Sequence, residues 1–172
     1  EMCIRDRLNL ENANYAVIVG RIDAGKGSFE AHQYFTRYVE ETGSDLKLVF
    51  VGEQGDLTEL GSHVVPTGFV AEAEKRDLIA GSLCLIQPSY LESFSIVLTE
   101  AWALGRPVLV QERSDVLRGQ TARAGGGVCF RDYDSFVESL ESFRNDRQYA
   151  DRLGNSGKIF VTSEYAWPTV ID

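Results

Sequence analysis

The chain lacks any long hydrophobic run: its longest apolar stretch, Tyr15 to Val19, is five residues. A helix crossing a bilayer needs about 20, so the sequence holds no candidate membrane-spanning helix. It is also short of cations. There are 17 Lys and Arg against 26 Asp and Glu, a net charge of −9. That field repels a polyphosphate backbone and excludes general nucleic-acid binding, although a small anion held by a few local cations remains allowed. Cysteine is scarce. Cys3, Cys84 and Cys129 are widely spaced, form no Cys-x-x-Cys pair and have only His32 and His63 to join them. Such a set suits neither a disulfide framework nor a structural zinc site. Cys84 and Cys129 sit among apolar neighbours and read as small buried hydrophobes in a reducing compartment, which points to the cytoplasm. No positive stretch followed by an apolar one marks a signal peptide. Glu1 to Arg7 looks more like a translated adaptor than the start of a domain, so residues 1–13 read as an extension to a domain spanning 14–172.

What is present is the composition of one folded domain: 172 residues, 44% hydrophobic and 25% charged, too short for two full domains and too apolar for disorder. From Asn14 onward, short β-branched runs alternate with longer amphipathic stretches, the signature of βα units around a mainly parallel sheet. Strands are expected at Tyr15–Val19, Leu46–Val51, His63–Thr67, Leu83–Gln87, Pro107–Val110 and Val128–Phe130. Most are continuous apolar runs, as in strands covered on both faces. The intervals predict helices over Lys26–Thr42, Ala71–Ala80, Ser95–Leu104, Asp132–Arg144 and about Arg147–Ser163. Ser114 to Gln120 reads as a polar surface loop, with Arg118 and Gln120 as lesser candidates for the cleft. The fold class is therefore α/β: a doubly wound, six-stranded, Rossmann-like sheet.

In such sheets ligands bind beyond the carboxyl ends of the strands, which directs attention to two loops. The first is Gly20-Arg21-Ile22-Asp23-Ala24-Gly25-Lys26-Gly27. It meets the first seven positions of a P-loop and fails the eighth, where Gly27 replaces the Ser or Thr that holds magnesium. Two readings of the loop stand on these residues alone. In one, Arg21 and Lys26 converge on a diphosphate while the glycines let the backbone approach; in the other they are solvated surface cations. The second loop runs from Pro88 through Glu92, Ser93 and Phe94 into the helix of Ser95, Ile96, Val97 and Glu100. Ser95 is the expected N-cap, with the amides of Ser95, Ile96 and Val97 directed at an anion. Glu92 and Glu100 are two carboxylates beside that anion site, a pairing best relieved by hydroxyl donors such as those of a sugar and a ribose. Glu100, placed in an apolar helix, has the stronger need of a partner.

Gly20-Arg21 with Lys26-Gly27, Leu48-Val49-Phe50-Val51-Gly52, Gly68-Phe69-Val70, Pro88-Ser89, Glu92 spaced eight positions before Glu100, and Ala103-Leu104-Gly105-Arg106-Pro107-Val108 follow one another in an order that resembles the C-terminal donor-binding domain of the retaining GT-B glycosyltransferases of family 4. The resemblance runs from about Tyr15 to Trp167. It implies the C-terminal half of a GT-B architecture and transfer of a sugar from a nucleotide-diphosphate sugar, with retained configuration and without a metal or other cofactor. Arg21 and Lys26 would bind the diphosphate, and Glu92 would accept hydrogen bonds from the transferred sugar. Backbone around Phe94, Ser95, Ile96 and Val97 would reach sugar and phosphate. Glu100 would hold the ribose, and Phe69 and Val70 would flank the base.

The sequence departs from the family in two ways. Ser95 stands where many relatives have glycine, and it reads here as the helix cap. The resemblance also implies an N-terminal acceptor domain, which could supply peripheral membrane contact and is expected to be absent from these residues, so the chain alone is expected to transfer little or nothing. The alternatives are a non-catalytic nucleotide-sugar-binding module and a GT-B nucleotide-sugar epimerase.

Overall fold

The computed structural model describes residues 3–11, 14–23, 27–53, 55 and 59–165. In chain order the elements are α1 (Ile4–Arg7), β1 (Tyr15–Val19), α2 (Ser28–Thr42), β2 (Lys47–Val51), β3 (Val64–Gly68), α3 (Glu72–Gly81), β4 (Leu85–Gln87), α4 (Ile96–Ala103), β5 (Val108–Gln111), α5 (Asp115–Ala124), β6 (Gly127–Phe130), α6 (Tyr133–Asn145) and α7 (Arg147–Glu164). The strands form one sheet in the order β3-β2-β1-β4-β5-β6, and every pairing between them is parallel. The winding reverses between β1 and β4, leaving a crevice where their following loops diverge.

Alternation along the strands divides the core into two layers. Ala16, Ile18, Leu48 and Phe50 pack against Phe35 and Tyr38 of α2 and Phe136, Leu140 and Phe143 of α6. On the opposite face Tyr15, Val17, Val49 and Leu85 meet Leu78 and Ile79 of α3, Leu98 and Trp102 of α4, and Leu117 of α5. Burial on both faces explains why the strands read as continuous apolar runs.

Helix α7 joins the two layers. Ala150 and Leu153 pack into the first, Phe160 and Val161 into the second. Its close approach to α4 requires glycine: a Cβ on Gly157 would lie 2.2 Å from Cδ1 of Trp102, and one on Gly154 would lie 2.0 Å from the Gly105 carbonyl oxygen. Trp102 is fully buried, and its indole N–H donates to the Gly126 carbonyl at 2.9 Å.

Three features differ from the sequence reading. The segment from Ser114 to Gln120 is not a loop: Ser114 caps α5 by accepting from the Leu117 N–H, and α5 continues to Ala124. Its buried stripe is Leu117, Gln120, Thr121 and Ala124, and the two polar members hide the apolar periodicity. Cys84 is fully buried, and burial pushes its thiol up to about 12, whereas Cys129 is only partly buried. The N-terminal segment, which the pattern leaves outside the domain, packs onto it. Ile4 and Leu10 are buried in the second layer, and Arg7 pairs with Glu74 of α3 at 2.7 Å. Helix boundaries otherwise shift by one or two residues. Lys26, the expected start of α2, lies outside the described residues, as does Trp167.

Candidate functional site

The loops after β1 and β4 meet at the crevice. Gly27, which opens α2, has φ of 70°, and a Cβ there would stand 2.1 Å from the Pro88 carbonyl oxygen. Only glycine allows this approach, which sets the chain following Arg21 against the chain leading to Glu92. Glu30, in the first turn of α2, strengthens the junction. It accepts from the Tyr90 hydroxyl at 2.6 Å and from the Gln111 amide at 3.3 Å. Burial, reinforced by the bond to Glu30, pushes the Tyr90 phenol up to about 12.

Beside this junction, at the carboxyl ends of β1, β2 and β3, lies a cavity of about 370 Å³ lined by Gly20, Arg21, Glu53, Phe69, Val70 and Lys75 among others. Phe69 is 84% exposed, an apolar face turned to solvent at the cavity. Arg21 approaches Glu53 at 3.9 Å with both side chains more than half exposed, so the pair is weak and the guanidinium is accessible to a stronger anion.

Lys75 is the residue that sequence reasoning missed. Its ammonium lies 2.9 Å from both Glu72 and Glu100, with the lysine 18% and Glu100 27% exposed. Burial pulls the ammonium downward, but the hydrogen bonds and charges of the two carboxylates outweigh it and hold its pKa above the ordinary lysine value. Glu100 thus has its partner within the protein. Helix spacing gave no sign of this, because the pair depends on how α3 lies against α4.

Helix α4 differs from expectation at its N-cap. Ser95 occupies the N-cap position but makes no side-chain cap. Its hydroxyl accepts from the Gln87 amide at 3.3 Å, and its own N–H donates to Oε1 of Gln120 at 3.1 Å. The Ser95 amide is therefore engaged inside the protein. The amides of Ile96 and Val97, in the first helical turn, have no intrahelical acceptor and point out from the N-terminus. Ile96 is 65% exposed, and the Phe94 ring packs edge-on against Tyr165 at 5.7 Å. Glu92 lies half-buried on the loop before α4. The structure thus gathers Arg21, Phe69, Val70 and Lys75 around the cavity, with Glu100 behind Lys75 as its ion-pair partner and Glu92, Phe94, Ser95, Ile96 and Val97 on the loop and helix start that follow β4.

Among the described residues no group of three or more His, Cys, Asp or Glu could hold a metal ion, and no helix is long and apolar enough to cross a membrane.

The strand order, with loops and helix N-termini at one end of a parallel sheet, defines a Rossmann-like α/β domain matching the C-terminal domains of GT-B glycosyltransferases. Within that class, the chain belongs to the family described as glycosyl transferases group 1, whose sequence pattern matches residues 3–160. It is 37% identical over 110 residues to TuaC of Bacillus subtilis, a protein assigned as a teichuronic acid biosynthesis glycosyltransferase, covering 62% of this chain and 27% of TuaC. Sucrose-phosphate synthase of Thermosynechococcus elongatus superposes with a TM-score of 0.79 at 21% identity, over 96% of this chain and 45% of the synthase. HepE of Anabaena, crystallised with UDP-glucose, gives a TM-score of 0.77 at 16% identity, over 93% of this chain and 47% of HepE. The chain thus spans less than half the length of each of these relatives.

Proposed function

We propose that this domain binds the nucleotide-diphosphate sugar donor of a glycosyltransferase, and that the whole enzyme transfers the sugar with retained configuration and without a metal. The observation that carries the reading is the arrangement at the carboxyl end of the sheet: a cavity lined by Arg21 and Phe69 after β1 and β3, with the N-terminus of α4 following β4, the neighbour of β1. Family membership and the UDP-glucose held by HepE support it. The base would lie against Phe69 and Val70, and the ribose hydroxyls beside the Lys75–Glu100 pair. The diphosphate would sit between Arg21, Lys26 and the amides of Ile96 and Val97. Departure of the nucleoside diphosphate builds negative charge at that point, and fixed cations with helix amides are the groups that stabilise it. Glu92, ahead of α4, would accept hydrogen bonds from the sugar. The acceptor would be bound by a second domain, in a cytoplasmic enzyme, so the chain alone would bind donor and transfer little.

Calorimetric titration with UDP, GDP and ADP tests the reading. One of them binds the wild-type chain, Arg21→Ala weakens it, and chelator leaves it unchanged. Failure of all three to bind refutes the donor site. In the whole enzyme, product in which the anomeric configuration is inverted refutes retention.

A further inference from the structure

We infer that Gln120 of α5 is a positioning residue for the diphosphate end of the donor site, holding from a different helix the backbone amide of Ser95, the N-cap residue of α4. This rests on the proposed donor reading. Three buried polar side chains meet at the carboxyl end of β4: Gln87, Ser95 and Gln120. A serine at an N-cap ordinarily folds its hydroxyl back onto the first-turn amides. Here the hydroxyl oxygen accepts from the Gln87 amide, and no first-turn N–H donates to it. Gln120 instead holds the N-cap residue's own amide, its Oε1 accepting the Ser95 N–H, the bond that a Glu or Gln at the third helical position makes in a capping box. The orientation of the amide group is fixed by chemistry, since a backbone N–H can only donate.

The other half of that amide shows what the contact is for. Gln120 is 1% exposed, and its Nε2 has no hydrogen-bond partner among the described residues. A buried donor without an acceptor is costly. A leucine or methionine of similar volume would fill the same space without that cost, so packing does not account for a glutamine here. What the glutamine adds is one acceptor at one amide. By fixing the Ser95 N–H it sets the direction in which the chain enters α4 and leaves the Ile96 and Val97 amides aimed outward at the crevice. An aliphatic side chain would leave the Ser95 amide buried without an acceptor. The turn would then rotate to satisfy that amide and carry the next two out of line. Gln120 itself touches no ligand; it acts through the helix start.

Amide hydrogen exchange on the wild-type chain tests this without a variant. Exchange at Ser95 is slow in the free protein and unchanged by UDP, GDP or ADP, whichever binds, while Ile96 and Val97 exchange quickly when free and slow on binding. Ser95 exchanging as fast as Ile96 and Val97 in the free chain overturns the inference. In Gln120→Met, affinity for the bound nucleoside diphosphate falls by about tenfold or more, the weight of one lost charge-directed hydrogen-bond set, while affinity for the matching nucleoside is unchanged. An equal loss for both ligands assigns Gln120 a general structural role and overturns it, as does unchanged diphosphate affinity. If the wild-type chain binds none of the three nucleotides, the donor reading itself has failed, whatever the exchange at Ser95.

Discussion

Gly27→Ala places a methyl group where the structure holds a carbonyl. The added Cβ would stand 2.1 Å from the Pro88 oxygen, and both that oxygen and its carbon belong to backbone. Carbon and oxygen rest at about 3.3 Å, so the start of α2 and the loop leading to Glu92 must part by about 1 Å. Gly43 provides the control. Its φ of 65° nearly equals the 70° of Gly27, yet a Cβ there meets nothing within 4 Å. Gly43→Ala therefore carries the left-handed penalty alone, about 1–2 kcal/mol. In a domain of this length that lowers Tm by about 2–8 °C. Gly27→Ala carries the same penalty plus about 1–3 kcal/mol of overpacking, and lowers Tm by roughly 4–20 °C. Scanning calorimetry of the two variants measures the difference. Titration with UDP, GDP or ADP then reads the site: separation of the two loops weakens nucleotide binding by about tenfold or more in Gly27→Ala, and Gly43→Ala leaves it unchanged. Equal losses of Tm in the two variants, or undiminished binding by Gly27→Ala, would show that the Gly27–Pro88 approach does not set the site.

Lys75→Met leaves Glu100 without its cation in a partly buried position and lowers stability by about 1–3 kcal/mol; a double-mutant cycle with Glu100→Gln gives a coupling well above zero, and strict additivity would refute the pairing. Tyr15 makes stability sensitive to alkali. Burial pushes its phenol from 10 up to about 12, and its hydroxyl donates to the Leu78 carbonyl at 2.7 Å. The folded state holds the proton longer than the unfolded one, so this contribution is complete below pH 10 and is lost as pH rises toward 12, about 2–3 kcal/mol in all. Chemical denaturation between pH 9 and 11.5 follows the loss, and Tyr15→Phe flattens the slope; an unchanged slope in that variant would assign the alkaline sensitivity elsewhere.

The strands were legible because burial on both faces leaves an uninterrupted apolar run, and the glycine-rich turns that end them are local. Tyr15–Val19 needed no tertiary information. Helix α5 was hidden for the opposite reason: its buried positions include Gln120 and Thr121, so the inward stripe is half polar. The local signal that would have found it was Ser114 ahead of Leu117 and Gly125 after Ala124, a cap at each end. Arg21 follows β1, Glu92 precedes α4 and Glu100 lies within it, as the pattern placed them, but the pattern named no partner for any of them. Which lysine meets Glu100, and which side chain holds the Ser95 amide, depends on how α3 and α5 lie against α4. Ser95 shows the limit most clearly. Sequence placed it at the N-cap, and the structure agrees, while its hydroxyl bonds outside its own helix.

During synthesis α4 leaves the ribosome before β5, α5, β6 and α6, and α7 follows all of them. Gly126 reaches the Trp102 ring earlier, but the face of α4 that carries Trp102 is not closed until Gly154 and Gly157 arrive. At about 5–20 residues per second that face stays open for seconds on a growing chain, a tryptophan-bearing surface of the kind that chaperones hold. The sheet can form early. The helix whose N-terminus faces the crevice gains its final support last, so nucleotide binding by a stalled nascent chain would mark the moment at which α7 docks.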